Sequence, residues 1–245
     1  MERLDVLLMR QSDLSRNLSQ SIIRKGLVKV DGATVRKCGA KFEPYVKITY
    51  EPPKTLYVSR GGYKLEEAIR KFNIDLEDKV CVDVGASTGG FTDCMLQNGA
   101  KMVYAIDTGS DQLSKKLKEN AKVVNFENTN ISGICDEIGK YGIDFVSVDV
   151  SFVSQTKIAH CIKILCKSNT QLVTLIKPQF EAGRQHLNKN GIVRNKKMHT
   201  KVIDEVTNCF VDLGFCLKGI RPSPITGTCG NEEYLAHYIY RGAQL

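Results

Sequence analysis

Between residues 80 and 240 short apolar runs of strand-like composition recur: Val80–Val84, Val103–Asp107, Val123–Phe126, Phe145–Val150, Leu172–Ile176 and Tyr234–Tyr240. The intervening segments Thr92–Asn98, Ser110–Asn120, Thr156–Lys167 and Met198–Leu213 are long enough for helices. Strand and helix in alternation predict an α/β fold, a parallel sheet with helices on both faces. Ligands of such sheets sit beyond the carboxyl ends of the strands.

The first run leads into the stretch DVGASTGGFTD, Asp83–Asp93. So many small residues remove the Cβ barrier to unusual dihedrals and let the backbone come close to a ligand. The order Gly85-Ala86-Ser87-Thr88-Gly89-Gly90-Phe91 lacks the G-x-G-x-x-G spacing of a dinucleotide loop and the Gly-Lys-Ser/Thr ending of a P-loop. Asp83, just before the loop, suits a cation better than a phosphate. S-adenosylmethionine meets these conditions: its sulfonium and amino group are positive, and its methionine part must lie along bare backbone. Asp107, at the end of the second strand, is placed to take ribose hydroxyls, and Asn130, after the third, to frame the adenine edge.

Two charges stand where apolar strands end. Asp149 closes Phe145-Val146-Ser147-Val148, and Lys177 closes Leu172–Ile176 with Pro178 behind it. A charge at such a place is costly unless paired or used, which leaves a structural ion pair or a pair of reactive groups as the readings.

The N-terminal part is different in kind. Residues 1–56 hold 11 Lys+Arg against 6 Asp+Glu, so they carry +5 of the chain's net +8. Leu4–Met9 and the segment from Leu14 to Lys25 read as helices, the second capped by Gly26. Val28 to Val35 alternates about Asp31-Gly32, a hairpin signal. Pro52 and Pro53 mark a joint, which predicts one domain over 1–56 and a second over 57–245. Arg16, Arg24, Lys25, Arg36, Lys37 and Lys41 gather around the second helix and the hairpin, a cationic face for phosphates.

Other classes recede. No run of about 18 apolar residues occurs, and MERLDVLLMRQ is not a signal peptide. The nine cysteines include no CxxC pair and the four histidines fall in no ligand spacing, so reduced core thiols in a cytoplasmic protein and no metal site are expected.

The N-terminal module resembles the S4 RNA-binding domain through Arg3-Leu4-Asp5, Ser15-Arg16, Ile22–Val28, Val30-Asp31-Gly32 and Lys37 to Lys41. The remainder is similar to the TlyA family in Asp83–Asp93, Asp149-Val150-Ser151-Phe152, Ile176–Glu181 and Gly230–Tyr234. That family joins an S4 domain to an FtsJ-like methyltransferase domain and 2′-O-methylates cytidine in ribosomal RNA. The resemblance implies a Rossmann-like class I methyltransferase with a mostly parallel seven-stranded sheet behind a small α+β S4 domain. It implies S-adenosylmethionine as cofactor, ribosomal RNA as partner, and a tetrad at Lys64, Asp149, Lys177 and Glu233, with Glu232 the other choice for the last position. Asp83, Gly85, Ala86, Ser87, Thr88, Gly89, Gly90, Phe91, Asp107, Asn130 and Asp149 would bind the cofactor, and Arg3, Arg16, Arg24, Lys25 and Lys37 the RNA. Ser87-Thr88 and Phe91 stand where many FtsJ relatives carry Ala-Pro and Trp. The chain stops at Leu245, soon after the last strand, which matches the shorter family form and implies action on the large subunit; a monomer is expected. The family is also labelled haemolysin, but no hydrophobic span or cationic lytic helix supports membrane damage. A non-catalytic ribosome-binding factor is the remaining alternative.

Overall fold

The computed structural model describes residues 1–12, 14, 16–50, 57–227 and 230–242. Ser15, the proline joint, Cys229, Leu245 and the side chains of Arg16 and Leu18 lie outside the described residues. Packing divides the chain into two compact units, Met1–Thr55 and Leu56–Leu245.

In the first unit β1 (Glu2–Arg3) leads into α1 (Leu4–Gln11), then α2 (Arg16–Lys25), β2 (Val28–Val30), β3 (Ala33–Thr34), β4 (Lys41–Phe42) and β5 (Ile48–Tyr50). Leu4, Leu8, Ile22 and Ile23, at helical spacings, pack on Val28 and Val30 to form a small core. The β2–β3 hairpin turns on Asp31 (φ 48°) and Gly32 (φ 85°), the two positive φ angles that a type I′ turn requires. Fully buried Asp5 accepts two hydrogen bonds from the Arg3 guanidinium, both at 2.9 Å, and one from Gln20 at 2.7 Å. Arg3 is thus tied to a buried carboxylate, while Arg24, Lys25 and Lys37 are exposed and form no ion pair among the described residues.

The second unit runs α3 (Gly61–Phe72), β6 (Val80–Val84), α4 (Gly90–Gln97), β7 (Met102–Ile106), α5 (Lys115–Lys118), β8 (Val123–Phe126), α6 (Cys135–Gly139), β9 (Ile143–Val148), α7 (Ala159–Leu165), β10 (Cys166–Ile176), α8 (Pro178–Glu181), α9 (Lys196–Asp212), β11 (Phe215–Pro222) and β12 (Tyr234–Tyr240). Its sheet has seven strands in the order β11-β12-β10-β9-β6-β7-β8. The five from β10 to β8 are mutually parallel, and β12 lies antiparallel between β10 and β11.

Strand period two sorts the core into two layers. Val82, Val84, Val146 and Leu172 face α6, α7 and α9 through Ile138, Ile162 and Val206. Cys81, Phe145 and Val173 face α3 and α4 through Leu65, Ala68 and Met95. Strands covered on both faces read as continuous apolar runs, which is why VCVDV and IDFVSV stand out in the sequence. The sheet order reverses at β6, where β7 pairs on one side and β9 on the other. The loop after β6 opens into that switch point.

Two local departures from the sequence reading have physical causes. Ser110–Asn120 is helical only at Lys115–Lys118. The Glu127 carboxylate accepts the N–H groups of Asp111 (2.9 Å) and Leu113 (3.3 Å) and pairs with Lys118, which holds the preceding residues as a loop. β11 was not among the expected strands: it is a sheet edge, contains Gly219 and Pro222, and buries Phe215 alone.

Candidate active site

A cleft of about 310 Å³ opens beyond the carboxyl end of β6, between the glycine-rich loop, the start of α3 and the residues that follow β9 and β10. Backbone sterics shape its floor. Gly85 has φ 86°, and a Cβ there would lie 2.6 Å from the Asp149 carbonyl oxygen. A Cβ at Gly90 would lie 2.2 Å from Ser59 Oγ. The loop therefore packs bare backbone against the residue after β9 and against the segment entering α3, as close approach demands. Gly85, Ala86, Ser87, Gly90 and Phe91 line the cleft.

Two ion pairs stand across from this loop. Lys177 Nζ lies 2.6 Å from Asp149 Oδ1, out of line for a hydrogen bond with that oxygen, and donates to Ser151 Oγ at 2.9 Å. Lys64, in the first turns of α3, donates to Glu233 Oε2 at 2.6 Å. The other Glu233 oxygen accepts from Gln179 Nε2 at 3.2 Å. Lys64, Asp149, Lys177 and Glu233 all line the same cleft. Glu232, its neighbour, is exposed and pairs with Lys196 instead. Each lysine thus faces a carboxylate, and the two pairs share one cleft. Ser151 and Gln179 were not singled out from sequence; their signal was a polar residue two positions after each charged strand end.

The turn that holds Asp149 and Ser151 continues into Phe152, with φ 64° and a side chain 91% exposed. A bulky residue in that region is strained. The Phe152 ring contacts the Phe180 ring at a centroid distance of 4.9 Å, and Lys177 Nζ lies 5.8 Å from the Phe180 centroid. An exposed aromatic ring therefore stands beside the Lys177–Asp149 pair.

The remaining sequence candidates lie elsewhere. Asp83 is fully buried beneath the loop, where Thr92 Oγ1 (2.7 Å) and Ser147 Oγ (2.9 Å) donate to its two oxygens. Burial pushes its carboxyl up to about 6, against the pull of those hydroxyls. Asp107 receives the N–H groups of Ser87 (2.8 Å) and Gly109 (2.7 Å), clamping the loop to the end of β7. Asn130 caps a short turn through Ser132 N (3.0 Å). Asp83, Thr88, Gly89, Asp107 and Asn130 do not line the cleft; they surround or support it. Among the described residues no cluster of His, Cys, Asp and Glu is fit to hold a metal, and no helix is long and apolar enough to cross a membrane.

S-adenosylmethionine fits what is here: a bare-backbone cradle at Gly85 and Gly90, beside the Asp149 carboxylate, whose buried Oδ1 accepts no hydrogen bond among the described residues. Bound there, it supplies an electrophilic methyl group.

Comparison with known proteins agrees with this geometry. The profile of the FtsJ-like methyltransferases matches residues 57–240. A 16S/23S rRNA (cytidine-2′-O)-methyltransferase TlyA of Mycobacterium tuberculosis is 33% identical over 90% of this chain and 82% of its own. A 23S rRNA (cytidine-2′-O)-methyltransferase TlyA of Campylobacter jejuni is 34% identical over 75% of this chain and 71% of its own. A solved structure from Streptococcus thermophilus, named among the hemolysins, shares 43% identity and superposes with a TM-score of 0.78 over 98% of this chain and 88% of its own. A fold, a cradle for S-adenosylmethionine and relatives of this identity lead to one conclusion: the chain belongs to the TlyA group of the FtsJ-like methyltransferase family.

Proposed function

We propose that the protein transfers the methyl group of S-adenosylmethionine to the ribose 2′-hydroxyl of a cytidine in ribosomal RNA, in the large-subunit 23S RNA. The observation that carries the reading is the convergence of the Lys177–Asp149 and Lys64–Glu233 pairs on one cleft beneath the glycine-rich loop. A 2′-hydroxyl is a weak nucleophile, and its oxygen must be aimed at the methyl carbon as its proton is lost. Lys177, fixed by Asp149 and Ser151, meets that oxygen and stabilises the negative charge that develops on it as its proton passes to solvent; forming the C–O bond with the transferred methyl group then discharges it. Lys64 and Glu233 hold the opposite wall. The exposed Phe152 ring offers a stacking surface for a base turned out of its helix.

Residues 57–245 carry the chemistry in this reading, and residues 1–56 act as an S4-like RNA-binding domain that uses exposed Arg24, Lys25 and Lys37 together with Arg3 and Arg16 on phosphates. The names of the M. tuberculosis and C. jejuni relatives support cytidine and 23S RNA. The protein then works in the cytoplasm, as a monomer, on ribosomal subunits. The test is transfer of labelled methyl from S-adenosylmethionine to purified subunits: label in the large subunit supports the reading, and label in neither contradicts it.

A further inference from the structure

The second unit has another concave surface, at the opposite end of the sheet from the cleft. It is a groove of about 590 Å³ lined by Lys71 and Phe72 from the end of α3, Gln171 from β10, Lys218 and Arg221 from β11, and His237 from β12. Along β10 and β12 the paired register runs from Gln171–Ile239 at the groove to Ile176–Tyr234 at the cleft, so the two sites mark the two ends of this ladder.

The charge in the groove is one-sided. Lys71, Lys218 and Arg221 line it, no carboxylate does, and none of the three has an ion-pair partner among the described residues. Other cations of the same unit, Lys101, Lys140 and Lys189 among them, also form no ion pair among the described residues; Lys71, Lys218 and Arg221 differ in lining one concave surface that no carboxylate lines. Three cations left together repel one another, a cost with no return within the described residues.

The backbone is bent to bring one of them in. The β11–β12 register shifts between Leu217 and Gly219, so Lys218 is the extra residue of a bulge, a device that re-aims a side chain at a strand edge. The bulge sets Gly219 against the Phe72 ring, where a Cβ would lie 3.0 Å from its edge. Beneath, His237 is 4% exposed, with Nε2 2.9 Å from Gln171 Oε1 and its ring 5.2 Å from that of Phe72. Burial and the nearby Lys218 hold His237 far toward its neutral form, at about 4, so the floor brings a polar neutral ring and no competing charge.

The groove also shares an element with the cleft. Lys64 and Lys71 are seven residues apart on α3, two turns and roughly 10 Å along one helix face. Arg221 pairs with Leu235, two residues from Glu233, and lies on the cleft side of Lys218 along β11.

We infer that this groove binds phosphate, with Lys71, Lys218 and Arg221 as its ligands. The phosphate comes either from the backbone of the RNA, which would extend from the cleft along α3 and β11, or from a free nucleotide. The RNA arm rests on the function proposed above; the nucleotide arm does not.

The experiment compares the full-length protein with a Lys218→Ala/Arg221→Ala variant and, on a different element, a Lys71→Ala variant, each checked for wild-type S-adenosylmethionine affinity. Binding of transcribed 23S rRNA is measured by filter retention between about 50 and 200 mM salt. Binding of inorganic phosphate and CMP is followed by phosphorus NMR. If RNA backbone occupies the groove, the double variant loses about 2 from the log–log salt slope and binds RNA about tenfold or more weakly, and the single variant loses about 1. If a free nucleotide does, wild type broadens the CMP or phosphate signal, both variants abolish that, and the RNA slope stays. Wild-type RNA slope and affinity in both variants, with no phosphate or CMP signal to lose, overturns the inference. Failure of wild type to methylate any rRNA overturns the proposed function and leaves the nucleotide arm standing.

Discussion

Lys64 and Glu233, 169 residues apart in the chain, meet with Nζ 2.6 Å from Oε2 in a site where their side chains are 12% and 3% exposed. Among the described residues neither has another opposite charge at this distance, so each is the other's compensation for leaving water. Removing one strands the other. Glu233→Ala is expected to lower stability by about 3 kcal/mol and Lys64→Ala by a similar amount, with the double variant recovering part of the sum. Urea denaturation of the four proteins checks this. Additive losses would show that the contact carries no coupling.

Phe152 pairs local strain with full exposure, a combination that stability alone does not explain. Phe152→Gly is expected to raise stability or leave it unchanged, since glycine tolerates φ 64°. The same change is expected to raise the KM for ribosomal subunits about tenfold, the loss of one stacked base. Melting temperature and steady-state kinetics read the two effects separately. A variant with wild-type KM would remove the ring from substrate binding.

Asp83 makes stability depend on pH. Its carboxyl sits near 6 in the fold against about 3.8 unfolded, so between those values the folded protein binds more protons than the unfolded chain. The favourable contribution is therefore fully present below about pH 3.8 and is lost as pH rises through 6. The two-unit difference corresponds to about 3 kcal/mol as an upper figure. Asp83→Asn is expected to remove this fall, so its stability relative to wild type should improve from pH 5 to pH 7.5 in paired denaturation curves. A difference that stays constant with pH would contradict the assignment.

The loop geometry makes a separate claim on Gly85. Alanine there must adopt φ 86° and push its methyl toward the Asp149 carbonyl at 2.6 Å. Gly85→Ala is expected to cost about 2 kcal/mol and to weaken S-adenosylmethionine binding at least tenfold, by calorimetry, because the loop and the Asp149 turn must separate. Unchanged affinity would mean that the cofactor does not use this cradle.

Much of the second unit was legible because its strands are buried on both faces and its loops sit at strand ends. Val80–Val84 showed as an apolar run, and the small residues after it showed that a backbone comes close to something. Asp149 and Lys177 showed as charges out of place. What sequence could not give was pairing across distance: nothing local joins Lys64 to Glu233 or separates Glu233 from Glu232, whose exposure differs only because β12 starts where it does. Asp83 reads from sequence as a ligand beside a glycine loop; its full burial and the donors Thr92 and Ser147 on its two oxygens were not legible there. β11 was hidden because an edge strand needs neither a continuous apolar run nor freedom from glycine and proline.

Lys177 is expected to act on a ribose hydroxyl. Large subunits are incubated with labelled S-adenosylmethionine and either wild type or Lys177→Ala, and the RNA is then hydrolysed in alkali. The account predicts label in an alkali-resistant dinucleotide with wild type, and at least a hundredfold slower labelling with Lys177→Ala at equal S-adenosylmethionine affinity. Wild-type rates in the variant, or label released as ordinary mononucleotides because it sits on a base, would contradict it.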